Sequence, residues 1–284
     1  MELIRTAADA GRAVEERRRS GDSVALVPTM GALHEGHASL IRRARADHRI
    51  VVVSIFVNPL QFGPNEDLDR YPRDETTDRA LCEELGVDVA WAPSIEEFYP
   101  PDVELPASEA GPVGDILEGV DRPGHFAGVL KAVRRLFDVV PADAAYFGEK
   151  DAQQLFLVRR MVQDLGLPVE IVACPTVREP DGLARSSRNA YLAPEERAQA
   201  GCLFLALSEA AQLARAGERD ATVIVASMAR EIGATPLASL DYAVVVDEQT
   251  FEPVAAVTAE ARALVAVRFP SARLIDNLRL PTDR

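Results

Sequence analysis

Long apolar runs are missing from this 284-residue sequence. No stretch reaches the roughly 18 residues that would suggest a membrane span. Cysteine is scarce: Cys82, Cys174 and Cys202 lie far apart and without C-x-x-C spacing. An odd count, with no export signal, predicts reduced and buried thiols rather than a disulfide framework. Histidine is limited to four residues, and with no cysteine pair a tetrahedral zinc site would need carboxylates from elsewhere. No metal site is expected. Basic stripes are absent as well: 31 Lys and Arg against 45 Asp and Glu leave a formal charge of −14. Such a field repels a polyanion and argues against extended DNA or RNA binding. A small anion can still be held, because local cations and backbone dipoles outweigh a distant charge screened over about 10 Å. The opening stretch MELIRTAADAGRAVEERRR lacks the basic-then-apolar order of a signal peptide, so the cytoplasm is the expected compartment.

What is present fits a soluble globular protein. Hydrophobic residues make up 48% of the chain, with no repeat and no low-complexity tract. Runs 23–29 and 49–58 are too continuously apolar for half-exposed strands and suit a parallel sheet covered on both faces. Residues 37–47 have helical spacing, 74–86 open with acids and close on Gly86, and 87–93 read as a third strand. Helix is expected again over 126–140 and 149–166, and strand over 142–148 and 168–175. Alternating strands and helices predict an α/β, doubly wound, Rossmann-like parallel sheet over residues 1–176, with strand order 3-2-1-4-5. Residues 177–284 change character: a turn-rich segment, one Ala-rich helix over 194–216, a second over 221–233, and strands over 240–247, 261–269 and 272–280. A second, smaller α+β domain is expected there. The Pro- and Gly-rich stretch 99–124 has no clear periodicity and reads as a long functional or mobile loop.

Chemistry-bearing residues gather where strands end. GALHEGH (31–37) leaves the first strand and GEKD (148–151) the fourth, which are neighbours in that order, so His34, His37 and Lys150 are expected to face one crevice. Both segments run into helix amino ends, where N–H groups and the dipole attract phosphate. Taken alone, two imidazoles around Gly36 could be metal ligands, structural residues or a grip on an anion. DGLARSSRN (181–189) could wrap a polyphosphate or serve as a polar linker. Asn58 and Gln61 in FVNPLQF (56–62) could present amides to a ligand or simply build a turn. His48 is expected to be a solvated boundary residue.

Together these segments resemble the pantoate–β-alanine ligase family of the HxGH nucleotidylyltransferase superfamily. PTMGALHEGH, FVNPLQFGPNEDLDRYPR, RPGHFAGV, YFGEKDAQQL and DGLARSSRN occur in that family's order and spacing, across nearly the whole chain. The resemblance implies ATP-dependent joining of pantoate to β-alanine through a pantoyl-adenylate, with ATP and Mg²⁺ and no prosthetic group, in a homodimer without nucleic-acid or membrane partners. His34, His37, Lys150 and Arg188 would be catalytic, with His37 the proton donor and Lys150 on the α-phosphate. The nucleotide would be cradled by Met30, Gly31, Ala32, Leu33, His34, Glu35, Gly36 and His37, by Gly148, Glu149, Lys150 and Asp151, and by Val177 and Arg185. Ser186, Ser187 and Arg188 would hold the β- and γ-phosphates. Gln61 and Gln154 would orient pantoate, and Gln61 would also lie near β-alanine. Arg185 and Lys131 depart from the family's usual smaller or apolar residues, either strengthening ATP binding or pointing into solvent. Rival readings are a relative with another acceptor, a nucleotide-binding protein without catalysis, and a tRNA-charging fragment, the last disfavoured by the acidic charge.

Overall fold

A computed structural model describes residues 1–19, 21–64, 66–101, 103 and 109–281. The chain divides into two compact units, Met1–Glu149 with Gln153–Pro175, and Lys150–Ala152 with Thr176–Arg284. Residues 150–152, expected in the first domain, therefore cluster with the second.

In the first unit the strands are β1 (Glu2–Ile4), β2 (Val24–Thr29), β3 (Ile50–Ile55), β4 (Val89–Trp91), β5 (Ala144–Gly148) and β6 (Glu170–Cys174). The helices are α1 (Ala7–Arg18), α2 (Glu35–Asp47), α3 (Glu75–Glu84), α4 (Ile95–Phe98), α5 (Glu118–Asp121), α6 (His125–Val139) and α7 (Ala152–Asp164). All six strands are parallel, in the order β1-β4-β3-β2-β5-β6. This is the expected order with one further edge strand, β1. The order reverses between β2 and β5, the place where sheets of this kind bind ligands.

Alternation explains the double winding. Ala25, Val27, Val51 and Val53 pack with Leu40, Ile41 and Ala44 of α2 and Cys82 of α3. Their neighbours Val24, Leu26 and Val52 point to the opposite face by the period of two and are also fully buried. Each buried Val or Leu side chain contributes about 1.5–3 kcal/mol, so both faces stabilise the sheet. Beyond the ends of β3 and β4, Phe98 stacks between Phe56 (centroids 3.8 Å apart) and Trp91 (5.4 Å). The three thiols are free and buried, and desolvation raises each of them, Cys82 to about 12.

The stretch expected to be one irregular loop is partly ordered. Residues 102 and 104–108 lie outside the described residues, but Pro112–Asp115 form a 3-10 turn that leads towards α5. Gln153 fastens this segment: its Nε2 donates to Val113 O (2.7 Å) and Ile116 O (2.9 Å), and its Oε1 accepts from Glu118 N–H (3.2 Å).

In the second unit, helices α8 (Pro194–Gln199), α9 (Cys202–Arg215) and α10 (Ala221–Gly233) accompany an antiparallel sheet, β7 (Ser239–Asp247), β8 (Ala261–Arg268) and β9 (Arg273–Arg279), in that order. Leu203, Leu207, Ala210 and Ala214 line one face of α9, and Ile224, Met228 and Ile232 one face of α10. The single helix expected over 194–216 is two. The chain breaks at Ala200-Gly201, where a Cβ on Gly201 would sit 3.2 Å from Asp181 O. Among the described residues no helix is long and apolar enough to cross a membrane.

Candidate active site

The turn from β2 into α2 is held by backbone groups and one buried acid. Thr29 Oγ1 donates to Ser54 O (2.6 Å) and accepts from Gly31 N–H (3.2 Å), tying the strand end to β3. Gly31 lies at φ +80° and Ala32 at φ +50°, which turns their N–H groups inward. Asp78 of α3 collects the next two donors, Ala32 N–H (2.9 Å) and Leu33 N–H (2.6 Å). Burial raises the Asp78 carboxyl above the ordinary aspartate range, against the opposing pull of these two hydrogen bonds. Sequence reasoning missed Asp78. In DETTDRALCEELG it looks like one more acid near a helix start, and its only signal is the i, i+4 spacing with the buried Cys82.

His34 caps α2, and its Nδ1 accepts from Gly36 N–H (3.1 Å); the His34 N–H donates to His37 Nδ1 (3.3 Å). The rings lie 4.2 Å apart. Because both Nδ1 atoms accept, the neutral tautomer of each ring carries its proton on Nε2, and each ring presents a donor on its far side. The glycine of HxGH has a steric reason: a Cβ on Gly36 would lie 2.8–2.9 Å from the His34 ring. Glu35 pairs with Arg42 (2.5 Å).

The second element is the turn Pro59–Gln61 after β3. Asn58 Nδ2 donates to Gly128 O (3.1 Å) and its Oδ1 accepts from Leu60 N–H (3.2 Å), so main-chain groups fix the sense of its amide. The same Nδ2 donates to Gln61 Oε1 (3.1 Å), which turns the Gln61 Nε2 donor towards Met30 Sδ at 2.9 Å. Tyr99, next to the aromatic stack, donates its hydroxyl to Asn58 Oδ1 (2.9 Å). The Gln61 carbonyl accepts from Arg122 (3.2 Å) and His125 Nδ1 (2.8 Å). Arg122 forms an ion pair with Glu66 (2.6 Å). Desolvation and the Arg122 charge lower the buried His125 to about 4, so this ring is neutral at pH 7, with its proton on Nδ1. Glu66, Arg122 and His125 were not singled out in the sequence, since their role appears only once α6 meets this turn. Lys131 of α6 lies over the Tyr99 ring, 5.9 Å from its centroid.

Gly148 closes β5 and Glu149 opens the following 3-10 turn. Of the two adjacent glutamines, Gln153 is buried and structural, while Gln154 is half-buried. His48 is a boundary residue at the end of α2 and only partly solvated: half-buried, it sits edge-on to Tyr146 (5.9 Å), with its Nδ1 buried and unpartnered.

In the second unit Lys150 Nζ lies 3.5 Å from Asp151, and the Lys150 carbonyl accepts from Asn277 Nδ2 (2.8 Å). A hairpin carries the other cations. Arg185 N–H donates to Val177 O (2.9 Å), Glu179 N–H to Leu183 O (2.8 Å), and Arg178 bridges Ala184. Arg185 pairs with Glu179 at 3.1 Å rather than pointing freely into solvent. Ser186 Oγ accepts from Arg188 N–H (3.3 Å) and starts the 3-10 turn Ser187–Tyr191. Among the described residues no group of three or more His, Cys, Asp or Glu side chains is arranged to hold a metal ion.

The family model for pantoate–β-alanine ligase matches residues 2–279. This chain belongs to the pantoate–β-alanine ligase family. It is an enzyme of the ligase class. It is 50% identical to the pantothenate synthetase of Thermotoga neapolitana, with 98% of this chain and 99% of that protein covered. Identity to a Thermus thermophilus pantothenate synthetase is 52%, over 91% of this chain and 94% of the relative. A crystal structure of pantothenate synthetase from the latter organism matches with a TM-score of 0.94 at 48% identity, covering 99% of each chain. A Francisella tularensis pantoate–β-alanine ligase crystallised with β-γ ATP and β-alanine matches with a TM-score of 0.79 at 32% identity, covering 100% of this chain and 99% of that one.

Proposed function

We propose that this chain condenses pantoate with β-alanine to pantothenate at the expense of ATP, through a pantoyl-adenylate, releasing pyrophosphate and then AMP. The step would serve pantothenate and coenzyme A biosynthesis. A carboxylate resists attack by an amine because it is anionic and its oxygen leaves badly. Transfer of AMP to pantoate neutralises the carboxylate and supplies a leaving group.

Adenylation is attack of a pantoate carboxylate oxygen on the α-phosphorus, with the P–O bond to pyrophosphate breaking. No protein nucleophile is needed, so positioning and charge stabilisation carry the rate. His34 and His37 would donate from Nε2 to phosphate oxygens, with His37 as proton donor to the departing pyrophosphate. Lys150 would meet the α-phosphate, and Ser186, Ser187 and Arg188 the β- and γ-phosphates. The main chain over 30–37 and 148–151, with Val177 and Arg185, would cradle the nucleotide, and Asp151 would reach the ribose. Mg²⁺ would enter with ATP, bound mainly by phosphate oxygens and water. Gln61 and Gln154 would orient pantoate. With its Oε1 already used by Asn58, Gln61 offers N–H donors, which suits a substrate carboxylate or hydroxyl oxygen. In the second step the β-alanine amine attacks the acyl carbon near Gln61 and AMP leaves.

The observation that carries this reading is the paired-imidazole cap of α2, with both Nδ1 atoms accepting backbone N–H. The proposed enzyme is a cytoplasmic homodimer without membrane or nucleic-acid partners, the last in keeping with the −14 charge, which repels a polyanion. Labelled pyrophosphate should exchange into ATP only when pantoate is present. Exchange driven by other acids but not by pantoate would remove the assignment. Lys150→Ala should raise the adenylation barrier by about 2–4 kcal/mol, the scale for losing one preorganised stabilising group; exchange kinetics measure it.

A further inference from the structure

The buried polar residues of the second unit's sheet have no part in the chemistry above, yet they end on it. Asp276 and Asn277 are adjacent in β9 and only 3% and 4% exposed. Strand alternation puts Asp276 on the same side as Leu274, which belongs to the apolar core. An apolar residue there would serve stability as well, since replacing a buried ion pair by well-packed apolar groups is often neutral or stabilising. What the pair holds is therefore the informative question.

Asp276 takes Arg178 in a two-pronged contact (2.5 and 3.0 Å) and accepts Asn277 N–H (2.8 Å). The guanidinium lies 4.4 Å from the Phe204 ring centroid and donates onward to Gly182 O at 3.0 Å. Gly182 has φ +89°, and a Cβ there would fall 2.0 Å from the Phe204 ring, so the hairpin turn is seated against the same aromatic residue. Three residues after Ala184, the bridge partner of Arg178, the chain reaches Ser187. The Asn277 amide works in the other direction. Its Oδ1 accepts from Arg262 (2.5 Å), which fixes the sense of the amide, and its Nδ2 donates to the Lys150 carbonyl (2.8 Å). Pinning that carbonyl fixes the peptide plane after Lys150 and so restricts the direction in which its side chain leaves.

We infer that Asp276 and Asn277 are positioning residues for adenylation: one dipeptide sets both the hairpin that ends in Ser186–Arg188 and the main chain of Lys150. This rests on the reading of those side chains as phosphate ligands. Two cationic arms far apart in sequence thereby share one rigid reference, which a transition state with charge spread over several oxygens requires.

The test is pantoate-dependent pyrophosphate exchange with the full chain, for Asn277→Asp, Lys150→Ala and the double variant, with thermal melting alongside. Asn277→Asp keeps an acceptor for Arg262 and loses the donor to Lys150. Expected is an exchange kcat about tenfold lower, an ATP KM changed by less than about threefold, and a double variant no slower than Lys150→Ala. Glu248→Gln removes a negative charge that pairs with Arg262 and Arg279 in the same sheet, and should leave kcat within about twofold. Arg178→Lys keeps the charge but loses the two-pronged contact with Asp276 and with it the aim of the donor to Gly182 O, and should raise the ATP KM by about fivefold.

Asn277→Asp exchanging within about twofold of wild type, while Lys150→Ala is defective, overturns the inference and leaves the reading of Lys150 standing. Defects that multiply in the double variant, or an equal loss in Glu248→Gln, also overturn it, because the sheet would then act through general softening. Lys150→Ala within about threefold of wild type overturns both. If Asn277→Asp melts below the assay temperature, Asn277→Ala is judged by the same criteria.

Discussion

The β2–α2 turn of the first unit and the 177–188 hairpin of the second are held by opposite chemistry. In the turn, Asp78 gathers N–H groups from Ala32 and Leu33, so the main chain is anchored through its donors. In the hairpin, Arg178 collects the Gly182 carbonyl, anchoring the turn through an acceptor, and reaches the Asn277 carbonyl of β9. The choice does not follow the unit boundary. The Gln61 turn belongs to the first unit, yet its carbonyl is collected by Arg122 and His125 in the manner of the hairpin. The distinction is local: a turn that exposes N–H groups to the protein interior needs a buried acid, and one that exposes a carbonyl needs a buried donor.

The comparison is broken most severely by removing the counter-charge under the hairpin. Asp276→Asn leaves the mostly buried Arg178 guanidinium without an anion and should cost about 3–5 kcal/mol in urea unfolding. The Gln61 turn sharpens it through pH. His125 has a folded pKa of about 4 against 6.5 for the free side chain. Between these values the unfolded chain binds a proton that the folded chain does not, so the stabilisation is whole above about pH 6.5 and is lost as pH falls towards 4. The loss should total on the order of 3 kcal/mol, and the pH slope should be absent in His125→Gln. Asp78→Asn should cost about 1–3 kcal/mol, because an amide in place of the carboxylate sets a donor against a donor. Gly36→Ala should change stability by less than about 1 kcal/mol, yet slow exchange about tenfold by displacing the His34 ring. Stability and exchange rate would then part at Gly36 and move together at Asp276.

Much of this was legible in the sequence because it was written in periodicity. The runs around Val51–Val53 and Ala25–Val27 marked buried strands, their alternation with helices pointed to a doubly wound sheet, and the common order of such sheets supplied the rest. The elements β1 and α1 escaped: a three-residue edge strand has no periodicity to detect, and α1 buries only Ala10, Ala13 and Val14. Its start was marked by Thr6, whose hydroxyl accepts from Asp9 N–H at 3.1 Å. The break at Gly201 was hidden by the alanines around it. Motif residues such as His34, Gly36 and Gln61 could be read in advance, whereas Asp78, Arg122 and Asp276 could not. Their long-range partners lie 45 to 98 positions away, and several of these are main-chain groups, which leave no letter in the sequence.

The three buried thiols give each half of the molecule its own clock. Cys82 and Cys174 sit in the parallel-sheet unit and Cys202 in the other, all shielded and all poor nucleophiles while folded. An alkylating reagent can reach them only during an opening event, so the rate at which each peptide gains the adduct reports how often its own surroundings come apart.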